Sequence, residues 1–138
     1  VMLGHMVKKA ISNNFTGLES LVGVPGTVGG ALSMNAGAYG SEISNYFLSA
    51  TSYKINGEEK IYNKGDIKFS YRDSSFPKDE LLITAQFLCK KGDKEEILKN
   101  KKIASNGRKN TQPLKCRSAG SIFKNPSHGE SCRVWDGC

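Results

Sequence analysis

Apolar residues in the first dozen positions recur at helical spacing. Leu3, Met6, Val7, Ala10 and Ile11 fall at i, i+3, i+4, i+7 and i+8, with His5, Lys8, Lys9 and Ser12 between them, the stripe of an amphipathic helix. Asn13 and Asn14 suit its end. Gly17 to Val22 predicts a short helical turn and Val28 to Met34 a further one, so that two helices flank the loop between them. From Tyr46 the period becomes two, with Tyr46, Leu48, Ala50 and Ser52 alternating against Phe47, Ser49, Thr51 and Tyr53 up to Ile55. Asn56-Gly57 then predicts a type I′ hairpin turn, with Lys60 to Tyr62 as the returning strand of a meander. Asp66 to Tyr71 reads as a short irregular segment and Arg72 to Lys78 as a polar loop closed by Pro77. Leu81 to Cys89 is apolar enough for a central strand. Lys94 to Asn110 predicts a helix with Ile97, Leu98 and Ala104 inward, although Asn106-Gly107 could end it early. The last third is short and punctuated by Gln112-Pro113, Ser118 to Ser121 and Lys124-Asn125-Pro126.

Composition narrows the class. With 138 residues and 38% hydrophobic content, the chain has enough apolar material for one modest core. A mean hydropathy of −0.43, no apolar run of the roughly 18 residues that span a bilayer, and no long apolar core in VMLGHMVKKA predict a cytoplasmic protein without a membrane segment. Cys89, Cys116, Cys132 and Cys138 form neither a C-x-x-C pair nor a zinc-like spacing with His5 and His128, so reduced thiols and no metal are expected. The formal charge is +7. It is concentrated in Lys90 to Lys109, which holds eight basic against three acidic residues. A solvated helix face explains that cluster, and a nucleotide contact is the sharper alternative. Because the cluster has no aromatic residue for base stacking, nucleic acid is not expected as a partner.

Gly17 to Gly40 stands out, with seven of the fifteen glycines. Such backbone either turns sharply or lies against something a side chain would keep away. Pro25, Gly26, Thr27, Val28, Gly29, Gly30 and Ala31 offer amide groups, a hydroxyl and no acidic side chain, which suits a pyrophosphate. There is no Gly-Lys-Ser/Thr and no G-x-G-x-x-G between strand and helix. A packing turn is the alternative.

Five blocks in one order carry a resemblance. They are Leu18-Glu19 with Gly23 to Ala31, Met34 to Gly40, Tyr71-Arg72-Asp73-Ser74, Gln112-Pro113, and Ala119-Gly120-Ser121-Ile122-Phe123-Lys124-Asn125-Pro126. The series resembles that of the UDP-N-acetylenolpyruvoylglucosamine reductase family, flavoenzymes of bacterial cell-wall synthesis that use NADPH. The resemblance runs from about Leu3 to Pro126. It implies an α+β fold, with residues 1–92 as the second part of a PCMH-type FAD-binding domain, built of helices and an antiparallel or mixed sheet. Residues 93–138 would then begin the C-terminal substrate-binding domain.

The resemblance also implies roles. Pro25, Gly26, Thr27, Val28, Gly29 and Gly30 would lie along the flavin pyrophosphate, while Asn35, Gly37, Ala38 and Tyr39 would border its ring system. Arg72 would hold the substrate carboxylate and stabilise an enolate, where the residues alone suggest a surface arginine pairing with Asp66 or Asp73. Ser121 would deliver a proton to carbon. Arg108 and Lys109 would meet the UDP moiety of UDP-N-acetylglucosamine enolpyruvate, and Lys124 and Asn125 would orient the Ser121 hydroxyl or meet the substrate's diphosphate. A complete family member extends beyond both ends of this sequence, with a further flavin-gripping turn upstream and a catalytic glutamate downstream. The expectation is therefore a fragment, with complementing fragments as possible partners and a non-catalytic basic binding module as the alternative. Glu130 is the only carboxylate between Ser121 and Trp135, and nothing identifies it as that glutamate.

Overall fold

The structure is a computed structural model that describes residues 1–112 and Lys124. Helix α1 (Leu3–Ser12) buries Leu3, Val7 and Ile11, the stripe expected from the sequence. Its chain reverses at Asn14, which adopts a left-handed φ of 58°, and enters the short strand β1 (Phe15–Thr16). A 3-10 turn (Glu19–Leu21) follows, then helix α2 (Val28–Ser33), capped by Thr27. Strands β2 (Gly37–Ala38) and β3 (Ser41–Glu42) form a small hairpin.

The main sheet contains β4 (Phe47–Lys54), β5 (Glu59–Asn63) and β8 (Glu80–Phe87). Between β5 and β8 lies a second small hairpin, β6 (Phe69–Ser70) and β7 (Asp73–Ser74). Strand β9 (Lys90–Lys91) pairs with β1, and helix α3 (Lys94–Thr111) closes the described fold. The fold is α+β. Its core joins Leu3 and Val7 of α1, Leu18, Leu21, Leu32, Ile43, Phe47 and Ile97 of α3. Phe69 and Phe76 meet Phe47 edge-on with centroids 5.5 and 5.8 Å away, the favoured geometry for aromatic pairs.

Several expectations need correction. The sheet order is β5-β4-β8, so among the described residues β4 is central and Leu81 to Cys89 supplies an edge rather than the central strand. Leu81 and Ile83 are accordingly 65% and 61% exposed. Register shifts in the β4–β8 pairing break the strict alternation, which buries Phe47 and leaves Leu48 outside, as an extra residue in one strand reverses the facing of what precedes it.

The Asn56-Gly57 turn is not type I′. Lys54 N–H donates to Glu58 O at 3.0 Å and Gly57 N–H to Lys54 O at 2.9 Å, closing a three-residue loop in which Gly57 alone has positive φ. Both loop residues are left-handed instead at Tyr39 and Gly40, with φ 52° and 77°. Arg72 to Lys78 is not a simple polar loop, since it holds β7 and the buried Phe76. Likewise Asp66 to Tyr71 contains β6. Leu98 is 45% exposed rather than inward.

Helix α3 runs through Asn106-Gly107 without ending. Here the glycine serves space, not termination: a Cβ on Gly107 would lie 2.6 Å from Tyr39 Oη. An alanine in a helix interior normally stabilises by about 1 kcal/mol over glycine. Gly107→Ala is expected to lose that gain to the crowding of Tyr39, and to regain about 1 kcal/mol when Tyr39→Ala is already present. Denaturant midpoints across this four-member cycle give the answer, and additive effects would contradict the contact.

A polar cluster sits under the sheet. Buried Ser52 Oγ donates to Glu80 Oε2 at 2.6 Å, Tyr62 Oη donates to the same oxygen at 2.9 Å, and Lys60 Nζ lies 3.6 Å from Oε1. The Glu80 side chain is only 2% exposed. The Ser52 bond is the main cause that holds its carboxyl below the usual carboxylate range, against the opposing effect of desolvation. A carboxyl lowered in the folded state stabilises fully above its unfolded value of about 4.3, and the contribution is lost as pH falls through the folded value. Glu80→Gln should lower the melting temperature at pH 7 and flatten the acid side of the stability profile. Equal acid sensitivity in both proteins would show that Glu80 contributes nothing to it.

Candidate active site

The Pro25–Gly30 turn is solvent-facing, with Val28 and Gly29 half-buried. Only part of its backbone is available to a ligand. Pro25 has no N–H, Val28 N–H donates to Val1 O at 3.0 Å, and Gly30 N–H donates to Thr27 Oγ1 at 3.1 Å. The amides of Gly26, Thr27 and Gly29 have no acceptor among the described residues. No acidic side chain lies in the first turn of α2. That donor set fits an anion such as a pyrophosphate, with Thr27 shaping the turn rather than offering its oxygen.

Downstream of α2 the chain makes the β2–β3 hairpin. Asn35 is fully buried and its side chain is occupied: Nδ2 donates to Glu42 Oε2 at 2.7 Å and to Ser70 O at 3.0 Å. Both of its side-chain donors are therefore committed within the protein. Gly37 and Ala38 are half-buried, while Tyr39 is 53% exposed at the turn, its phenol set against Gly107.

Arg72 is where the two small hairpins meet. Tyr71 and Arg72 form the two-residue connection between β6 and β7, and Arg72 holds a left-handed φ of 54°. For a residue with a side chain that conformation costs roughly 1–2 kcal/mol. It persists where neighbours impose it. Arg72 Nη2 donates to Gly37 O at 2.8 Å, and its guanidinium lies 5.0 Å from the centre of the Tyr71 ring. The expected alternative, a pairing with Asp66 or Asp73, does not occur: among the described residues no carboxylate lies within 4 Å of the guanidinium. A half-buried cation with one neutral acceptor retains further donors for an anion.

A Cβ on Gly37 would lie 2.9 Å from Ser41 O and 3.3 Å from Arg72 Nη1. Glycine is required there by the Ser41 carbonyl and the Glu42 side chain, with the arginine as a looser third neighbour. Gly23 plays a similar part for Arg108, whose Cδ would be 3.1 Å from its Cβ. Arg108 Nε is buried without a hydrogen-bond partner among the described residues, whereas Lys109 and Lys124 are exposed. Ser121 and Asn125 lie outside the described residues. Sequence reasoning missed the spatial roles of Gly37 and Gly107, and also Ser74, whose Oγ donates to Ser33 O at 2.8 Å and ties the arginine hairpin to α2. Their partners are distant in the chain, so no local pattern marks them.

A separate, largely apolar hollow of about 450 Å³ lies between α1, β1 and the end of β8, lined by Met6, Ala10, Phe15, Leu18, Phe87 and Cys89 among others. It contains none of the candidate residues. Burial, followed by the Glu19 carboxylate, pushes the Cys89 thiol up, which disfavours the thiolate needed for nucleophilic work.

Comparison with known proteins bears on this arrangement. No family model matches the chain. Over 132 residues, 96% of its length, it is 38% identical to the UDP-N-acetylenolpyruvoylglucosamine reductase of Rickettsia rickettsii (strain Sheila Smith), of which it covers 44%. It is 39% identical over the same length to the reductase of Rickettsia felis, again covering 44%. The crystal structure of UDP-N-acetylenolpyruvylglucosamine reductase (MurB) from Thermus caldophilus superimposes with a TM-score of 0.82 at 34% identity, over 91% of this chain and 46% of that one. The chain thus spans less than half the length of the relatives it matches. In sequence along nearly its whole length, and in fold, it is homologous to a segment of the UDP-N-acetylenolpyruvoylglucosamine reductases.

Proposed function

We propose that this segment supplies the flavin-cradling loop and the substrate-carboxylate group of an NADPH-dependent reductase that converts UDP-N-acetylglucosamine enolpyruvate to UDP-N-acetylmuramate in peptidoglycan synthesis. The observation that carries the reading is Arg72, a cation on strained backbone, bonded to the glycine-rich loop and lacking a carboxylate partner among the described residues. FAD, once reduced by NADPH, supplies a hydride to the terminal carbon of the enolpyruvyl group. The amides of Gly26, Thr27 and Gly29, which have no acceptor among the described residues, would hold its pyrophosphate, and Asn35, Gly37, Ala38 and Tyr39 would border its ring.

Arg72 binds the enolpyruvyl carboxylate. Its planar guanidinium offers paired donors as negative charge spreads onto that carboxylate during reduction. Ser121, by its match to the Gly-Ser block, donates its hydroxyl proton to the adjacent carbon. A carbanion is a far stronger base than an alkoxide, so the transfer is downhill once the hydroxyl is held within about 3 Å. Arg108 and Lys109 would meet the UDP moiety, and by their match to the Lys-Asn-Pro block Lys124 and Asn125 would orient the Ser121 hydroxyl or meet the diphosphate. Residues 1–92 belong to the flavin-binding part and 93–138 begin the substrate-binding part, with α3 as the joint that packs Ile97 into the common core. NADPH and a nucleotide sugar are cytoplasmic metabolites, which places the reaction in the cytoplasm, with complementing segments supplying the rest of the relatives' length.

A basic binding module is the second reading, favoured by the exposed Lys99, Lys102 and Lys109 of α3. Flavin separates the two. Titration with FAD should quench flavin fluorescence, NADPH should bleach the bound flavin, and the enolpyruvyl nucleotide should restore its colour. Arg72→Lys is expected to leave FAD binding and bleaching in place while slowing reoxidation about a hundredfold or more. Ser121→Ala should likewise bleach yet fail to reoxidise. Absence of flavin binding, together with salt-sensitive retention of a polyanion, would instead establish the module, and reoxidation of Arg72→Lys at the parent rate would remove the arginine from the mechanism.

A further inference from the structure

We infer that Asn35 and Glu42 are positioning residues for Arg72, a buried carboxamide and its carboxylate partner fastening the hairpin that carries the arginine to the loop whose carbonyl the arginine grips. Asn35 is 0% exposed and left-handed at φ 41°. Few side chains tolerate that backbone and also carry two donors. Both donors are used, one on Glu42 Oε2 at 2.7 Å and one on Ser70 O at 3.0 Å, while Oδ1 accepts from Ser44 N–H at 3.4 Å. Ser70 pairs with Asp73 across the turn, so only Tyr71 and Arg72 lie between the anchored residue and its partner.

Glu42 completes the clamp. Its carboxylate also accepts from Ser44 Oγ at 3.5 Å, and its Cγ occupies the space beside Gly37 where a Cβ would lie 2.9 Å away. Three bonds therefore span the two hairpins and α2: Asn35 to Ser70, Ser74 to Ser33, and Arg72 to Gly37. The Asn35 bond is the one made by a fully buried side chain, and its other proton goes to the Glu42 side chain, so that neither donor is left to water. The β6–β7 pairing and the Phe69 ring set the register of this hairpin, and the Asn35 bond ties its Ser70 end to the loop that carries Gly37.

The inference rests on the proposed carboxylate role of Arg72 only for its consequence in turnover, and the pinning is read independently. Guanidinium NMR of the nitrogen-15-labelled full chain, with the Arg72 signals assigned by their loss in Arg72→Lys, reports rotation about Nε–Cζ. Asn35→Asp preserves shape but turns both donors into an acceptor facing Glu42 and Ser70 O. Rotation of Arg72 should then speed up by about tenfold, the effect of losing one good hydrogen bond. Combining Asn35→Asp with Glu42→Gln, so that the new amide donates to the new carboxylate, relieves the clash of two carboxylates but not the loss at Ser70 O, and should recover only part of the pinning, which a general loss of packing would not do. If Asn35→Asp does not fold, Glu42→Leu keeps the Asn35–Ser70 bond and should give about a threefold increase. Unchanged Arg72 rotation in a folded Asn35→Asp or Glu42→Leu protein overturns the inference. Adding the enolpyruvyl nucleotide to the parent distinguishes the two claims: variants that unpin Arg72, in a protein whose Arg72 signals ignore the nucleotide, leave the positioning in place and remove the carboxylate-binding role.

Discussion

The arrangement depends on a guanidinium lying against a peptide carbonyl. Arg72 reaches Gly37 O at 2.8 Å, beside a position where the absence of a side chain leaves room for Ser41 O, Glu42 Cγ and Arg72 Nη1. A carbonyl can orient a cation without neutralising it. The charge stays available, and the Tyr71 ring 5.0 Å below it adds a weak attraction that restricts its sweep. Had a carboxylate filled that place, Arg72 would be an ordinary ion pair with little left to offer a substrate.

The same device recurs. Tyr39 rests on Gly107, Arg108 on Gly23, and the ring of Tyr46 against Gly17. In each case a glycine far away in sequence receives a large polar or aromatic side chain, and so sets how closely one segment approaches another. Through these contacts the C-terminal turn of α3 and the arginine hairpin both close on the glycine-rich stretch. The glycines first suggested a ligand cradle. Several of them instead create close packing around one, and the ligand-facing share reduces to the amides of Gly26, Thr27 and Gly29.

What could be read in advance followed the range of the interactions. The stripe of α1, the short helix from Val28 and the long helix from Lys94 are local, and the structure has them. Asp93 accepts from the amides of Glu95 and Glu96, a cap whose signal lies within three residues. The sheet order was not legible, because placing β8 beside β4 depends on a pairing across some thirty residues and on register shifts that periodicity cannot register. Asn56-Gly57 misled for a related reason: the turn type is set by where the strands begin to pair, which placed Ile55 inside the loop as well. Arg72 drew attention through motif resemblance alone, while its lack of a carboxylate partner among the described residues and its strained backbone emerged only from the fold. The motif resemblance set Asn35 beside the flavin ring. Its burial shows the chain using it internally.

A crystal structure of the chain with FAD and UDP-N-acetylmuramate tests the central claim most directly. The account predicts the flavin pyrophosphate within hydrogen-bond distance of the Gly26, Thr27 and Gly29 amides, with the product carboxylate on the Arg72 guanidinium. Flavin lodged elsewhere, for example in the hollow beside Cys89, or a carboxylate held by the lysines of α3 while Arg72 touches only Gly37, would contradict it.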